Sequence, residues 1–213
     1  MSDHPNNKYE NECIICRENL ENSYVSVCNN CILYPSRKIL EGYITSAFVN
    51  KGDIKKALWN MQKYVDNKTI EWFAYYMQKV VNDSFNKIKF DIISPIPVPN
   101  HKQTTAKNLL TKSIGNRMCI NVNVDLISCL QSKETKKAES KKARFENAKV
   151  YYSINNTSVV QGKAILLVDD IVETGATNLG IRELIIEHGA SEVYIVSALC
   201  NPPRSTIGRW REK

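Results

Sequence analysis

The stretch Ala164-Ile-Leu-Leu-Val-Asp-Asp-Ile-Val-Glu-Thr-Gly-Ala-Thr177 decides the fold. Ala164 to Val168 is a short continuous apolar run, too short for a helix and typical of a strand buried on both faces in a parallel sheet. Two carboxylates, Asp169 and Asp170, follow at its end. Gly175 breaks the pattern, after which Leu179, Ile181, Leu184, Ile185 and Ile186 recur at helical spacing, and Gly189 reads as the C-cap. Val193 to Leu199 is a second buried strand. Strand, turn, helix and strand in so short a span make a βαβ unit. In open α/β sheets ligands bind at the carboxyl ends of the strands, which is where Asp169 to Thr177 lie.

The turn has the chemistry of a phosphate cradle. Thr174, Gly175, Ala176 and Thr177 combine two hydroxyls, a flexible glycine and the unpaired N–H groups of a helix start. It is not a Walker A loop, because the spacing is too short and no Lys-Ser/Thr pair follows. Carboxylates beside such a turn must hold something other than phosphate. The vicinal hydroxyls of a ribose suit them, directly or through Mg²⁺. The implied ligand is a ribose 5-phosphate.

The rest of the chain bounds this reading. Its 213 residues suit one full domain with a small appendage, and it is 43% hydrophobic. It lacks an apolar run of about eighteen residues, so a membrane span is not expected. Residues 1–10 lack the apolar core of a signal peptide, and a cytoplasmic location is expected. Seven cysteines in such a compartment argue against a disulfide framework. Cys13 and Cys16, then Cys28 and Cys31, form two Cys-x2-Cys pairs separated by eleven residues. Two such pairs supply four thiolates for a closed, structural zinc site, whereas a redox motif needs only one pair. Cys119, Cys129 and Cys200 stand among apolar neighbours and read as core residues.

Four regions are expected: a zinc-binding module over 1–35, a helical segment over 36–89, the ligand-binding domain over 90–200 and a basic tail over 201–213. In the helical segment, Ile39, Leu40, Tyr43, Ile44, Ala47 and Phe48 have helical spacing. Asp53 can cap a second helix carrying Ile54, Ala57, Leu58 and Met61, and a third runs from about Thr69 to Lys87. Its Trp72, Phe73 and Tyr76 read as packing. Phe90 to Ser94 is a strand ending in Ser94-Pro95-Ile96-Pro97, where the prolines stiffen a loop at its carboxyl end. A helix near Thr104–Asn116 and a strand near Asp125–Leu130 follow. Gln131–Lys149 then carries seven Lys/Arg against three Glu, a net +4, and Arg204–Lys213 adds a net +3, which together equal the formal charge of +7. These segments are either solvated stretches or attractors of a polyanion, a phosphorylated ligand or a nucleic acid.

Ile165 to Thr177 closely resembles the signature of type I phosphoribosyltransferases: hydrophobics, Asp-Asp, two hydrophobics, then Thr-Gly-x-Thr. The resemblance implies an α/β fold with a mostly parallel sheet flanked by helices, an acidic pair on the ribose hydroxyls of phosphoribosyl pyrophosphate (PRPP), and a Thr-Gly-x-Thr loop on its 5-phosphate. Glu173 stands where the purine-salvage branch has an Asp that meets the nucleobase nitrogen. It reads either as a base or acceptor in that role, or as a solvated carboxylate at the positive end of a helix. With the four-cysteine knuckle ahead of it, the chain looks like the ComF-type proteins of this fold. That resemblance implies a pyrophosphate-side loop at Ser94, Pro95, Ile96 and Pro97. It also implies a flexible lid whose Lys141, Lys142, Arg144 and Asn147 serve the leaving group. Lys102 to Ala106 departs from the family's Arg-Gly-aromatic-Asn-Gln stretch.

Two functions follow from the resemblance. One is Mg²⁺-dependent phosphoribosyl transfer to an unidentified nitrogen acceptor, with Asp169, Asp170 and Glu173 at the reacting centre and zinc in a structural role. The other is a catalytically silent PRPP- or nucleotide-sensing adaptor that binds DNA or a DNA-processing protein. ComF-like proteins are associated with DNA uptake in competence.

Overall fold

The computed structural model describes residues 35–40, 42–50, 52–98, 101–130 and 141–201. Cys13, Cys16, Cys28 and Cys31, and with them the expected zinc module, lie outside the described residues, as does the tail from Arg204.

The deciding stretch forms β7 (Ala164–Val172), a strand four residues longer than its apolar run. Asp169 and Asp170 therefore sit inside the strand rather than just after it. Asp91 fixes its start by accepting the Ala164 N–H at 2.9 Å, a bond that, together with Lys163, holds this carboxyl below its ordinary range. β7 is central in a six-stranded sheet. The order is β1 (Pro35–Leu40), β2 (Ile44–Val49), β8 (Glu192–Cys200), β7, β3 (Ile92–Pro95) and β4 (Asn121–Val122). Only β1 and β2 pair antiparallel, and the other neighbours are parallel.

Alternation along β7 divides the core into two layers. Leu166 and Val168 pack with α1 (Asp53–Tyr64), α2 (Asn67–Ser84) and α3 (His101–Met118), through residues such as Leu58, Phe73 and Leu110. Ile165 and Leu167 pack on the other face with α4 (Lys141–Tyr151) and α5 (Ala176–Glu187), through Ala148, Ile181 and Ile185. Trp72 and Phe73 of α2 are core and Tyr76 packs against them, as expected: Trp72 stacks on Phe48 with ring centroids 4.8 Å apart and planes 9° from parallel.

The structure corrects three expectations. Residues 36–50 are not a helix but the hairpin β1–β2, turned at Gly42 with φ +76°. β2 is buried on both faces, Ile44 in one layer and Phe48 in the other, so it lacks the alternation that marks a half-exposed strand. The strand expected near Asp125–Leu130 forms as β5 (Ile127–Cys129), and it pairs antiparallel with β6 (Tyr152–Ile154) outside the central sheet. Lys141, Lys142, Arg144 and Asn147 do not lie in a loop, because α4 begins at Lys141. Of the three cysteines read as core, Cys200 is buried and Cys129 half-buried, but Cys119 is exposed on a turn with φ +54°.

Candidate active site

A cleft of about 190 Å³ opens at the carboxyl ends of β3 and β7. The turn after β3 forms one wall through Ile96, Pro97 and Val98. It is held there because the Ile96 N–H donates to the Val168 carbonyl at 2.9 Å, extending the ladder one residue past β3. Glu173 to Asn178 form the opposite wall, Asp169 and Ile171 contribute from β7, and Arg144 and Tyr152 close the side.

The turn is built as its residues suggest. Gly175 caps α5 with φ +75°, in the left-handed region that favours glycine, and it is packed beneath by Ile44. The Ala176 N–H donates to Thr174 Oγ1 at 3.4 Å, and the Leu179 N–H makes the helix's first bond to the Gly175 carbonyl. The N–H groups of an intervening helix start have no intrahelical acceptor and carry the positive end of the helix dipole. Thr174 and Thr177 both line the cleft there.

The two aspartates separate. Successive residues of a strand point to opposite faces, so Asp169 lines the cleft while Asp170 turns toward α1. Lys107, a buried residue of α3, spans them, with Nζ 2.9 Å from Asp169 Oδ1 and 3.0 Å from Asp170 Oδ1. Asn178 Nδ2 donates to Asp169 Oδ2 at 2.7 Å, and Gln62 Nε2 donates to Asp170 Oδ2. Burial disfavours the ammonium of Lys107, but the two aspartates outweigh it and hold Lys107 above the ordinary lysine range. Burial also pushes Asp169 upward, against the pull of Lys107. For Asp170 the burial penalty is outweighed by Lys107 and by hydrogen bonds, so its carboxyl stays well below the usual carboxylate range.

Glu173 is exposed, as is Thr174 beside it, and Arg144 Nη1 of α4 meets the Glu173 Oε2 at 3.2 Å. Lys149 of the same helix is tied to Glu183 at 3.6 Å and to Glu187, both on α5. Lys142 stays outside the cleft and faces Glu146 at 3.8 Å, while Asn147 is half-buried on α4.

Residues 119–209 match the family model described as phosphoribosyl transferase domain. The chain has a type I phosphoribosyltransferase fold. Among solved structures, the allosteric regulatory enzyme of purine biosynthesis is similar at 18% identity, over 61% of this chain and 26% of that one, with a TM-score of 0.43. The Trypanosoma cruzi hypoxanthine phosphoribosyl transferase is similar at 13% identity over 63% of this chain and 74% of that one, with a TM-score of 0.43. Leishmania donovani UMP synthase shows 20% identity over 78% and 28%, with a TM-score of 0.39. The chain thus spans about a quarter of the length of the first and third of these. No curated protein sequence matches it significantly.

Within this fold the structure brings together Asp169, Glu173, the turn from Thr174 to Thr177, Ile96, Pro97 and Arg144. Ser94 and Pro95 are buried in β3 beneath the cleft instead of lining it. Sequence reasoning missed Lys107, Gln62, Asn178 and Tyr152. One signal was available for Lys107: it lies three and seven residues before Leu110 and Ile114, both fully buried, so a lysine occupies the apolar stripe of its helix.

Proposed function

We propose that this protein binds PRPP in the cleft and transfers its phosphoribosyl group to a nitrogen acceptor, releasing pyrophosphate. The observation that carries this reading is convergence: a hydroxyl-rich turn at a helix start and a cleft-facing carboxylate one strand-end away share one open cavity. The turn from Thr174 to Thr177 would take the 5-phosphate through hydroxyls and backbone N–H groups. Asp169, five to eight residues earlier on the strand, would accept a hydrogen bond from a ribose hydroxyl. The stiff wall of Ile96 and Pro97 would flank the diphosphate, and Arg144 would offset charge developing on it. Water must be excluded from the anomeric carbon, or hydrolysis competes with the acceptor.

A non-catalytic, PRPP-holding reading draws on one observation. Glu173, the candidate base, is engaged by the Arg144 guanidinium at 3.2 Å. Incubation with PRPP, Mg²⁺ and a panel of nucleobases separates the two. Base-dependent pyrophosphate release supports the transferase, and PRPP binding without release supports the sensor. Absence of PRPP binding would sink both.

A further inference from the structure

Two adjacent carboxylates in one buried strand end are an unstable arrangement unless something positive stands between them. In type I phosphoribosyltransferases the signature pair works alongside a divalent cation, so the fit of such an ion to these residues is a question of geometry. The geometry answers against it. Lys107 Nζ stands 2.9 and 3.0 Å from one oxygen of each aspartate, so an ammonium already lies between the two carboxylates. The other oxygen of Asp169 takes Asn178 and that of Asp170 takes Gln62. The backbone N–H groups of Asp170 and Ile171 add bonds at 3.0 Å to the same two oxygens that face Lys107. Every carboxylate oxygen of the pair thus has a donor from within the protein. The donors come from α1, α3 and α5, three separate helices. Hard divalent cations require several oxygen ligands at close range, and here a tethered ammonium with three donors has taken the place.

We infer that Lys107 is a built-in counter-cation for the acidic pair, so that Asp169 and Asp170 do not by themselves hold a divalent metal. Lys107 acts as a positioning residue. It fixes the Asp169 carboxylate toward the cleft and joins it to Asp170 on the far face of the sheet.

The test uses Mn²⁺ alone, without PRPP, followed by paramagnetic resonance on the full chain. Wild type is expected to show no Asp169-dependent Mn²⁺ binding. Lys107→Met, which keeps length but removes the charge, is expected to bind one Mn²⁺ about tenfold or more tightly than wild type. Adding Asp169→Asn to that variant should abolish the gain. A lysine with a merely structural role would yield no new metal site. Lys107→Gln offers a second, polar replacement if the Met variant does not fold. Mn²⁺ binding to wild type that Asp169→Asn removes would overturn the inference, as would a folded Lys107 variant with no gain. Because the metal titration contains no PRPP, its failure is distinguishable from failure of the PRPP reading, which pyrophosphate release tests separately.

Discussion

Gly180 of α5 lies directly against the backbone of Phe145 in α4: a Cβ at position 180 would come within 2.4 Å of the Phe145 carbonyl oxygen and 2.6 Å of the Ala148 Cβ. Neither atom is the end of a flexible side chain, so the two helices would have to part. Gly180→Ala is expected to destabilise the fold by about 1–3 kcal/mol, the usual cost of overpacking. Faster hydrogen exchange over 141–151, and a lower melting temperature, are the readouts. Unchanged exchange there would mean that α4 does not depend on this contact.

Arg144, which α4 then delivers to the cleft, and its partner Glu173 keep 34% and 61% of their side-chain surface exposed. Exposed pairs contribute only about 0–1 kcal/mol, so Arg144→Ala should leave the melting temperature nearly unchanged. PRPP affinity should nevertheless fall several-fold, because the guanidinium is the cationic side chain lining the cleft among the described residues. Calorimetry returning the wild-type affinity would remove Arg144 from the ligand's surroundings.

Asp169 and Asp170 are expected to respond differently to the same substitution. Asp169→Asn removes a cleft-facing charged acceptor, and a charge-assisted bond is worth roughly 1.5–3 kcal/mol, which implies about a tenfold or greater loss of PRPP affinity. Asp170→Asn acts mainly on stability, since that carboxylate faces Lys107 and Gln62 and lies outside the cleft. Equal losses of affinity in the two variants would contradict the split.

The pH dependence of that stability has a defined sign. Asp170 is held well below its unfolded value, so its contribution is present above an unfolded carboxylate pKa of about 3.9 and is lost as pH falls below it. Wild type should therefore lose its advantage over Asp170→Asn progressively below about pH 4. Denaturant midpoints measured for both proteins from neutral to acid pH check this, and a constant difference would show that Asp170 is not preferentially ionised in the folded state.

Zinc is expected at one equivalent per chain, held by Cys13, Cys16, Cys28 and Cys31 on the strength of their spacing. Cys28→Ser should lose the metal while the far-ultraviolet dichroism of the α/β sheet persists. Elemental analysis of wild-type protein purified without chelator, finding no zinc, would end this reading.

The unit from Ala164 to Leu199 was legible because each of its signals is local. An apolar run, a glycine with positive φ and a helical repeat all act within a few residues, and the phosphate-suited turn follows from them. The hairpin over 35–49 was not legible, because a strand enclosed by two layers carries apolar residues on both faces and Ile39 to Phe48 mimic helical spacing. The same limit applies more strongly to the site. The sequence alone determined that two carboxylates precede a phosphate-suited turn. Only the tertiary structure decided that Asp169 faces the cleft while Asp170 faces away, and that Lys107, Gln62 and Asn178 satisfy both. Gln62 and Lys107 lie 108 and 63 positions from Asp170. Burial forces such charges to find partners, but which residues serve is fixed by how the helices pack on the sheet.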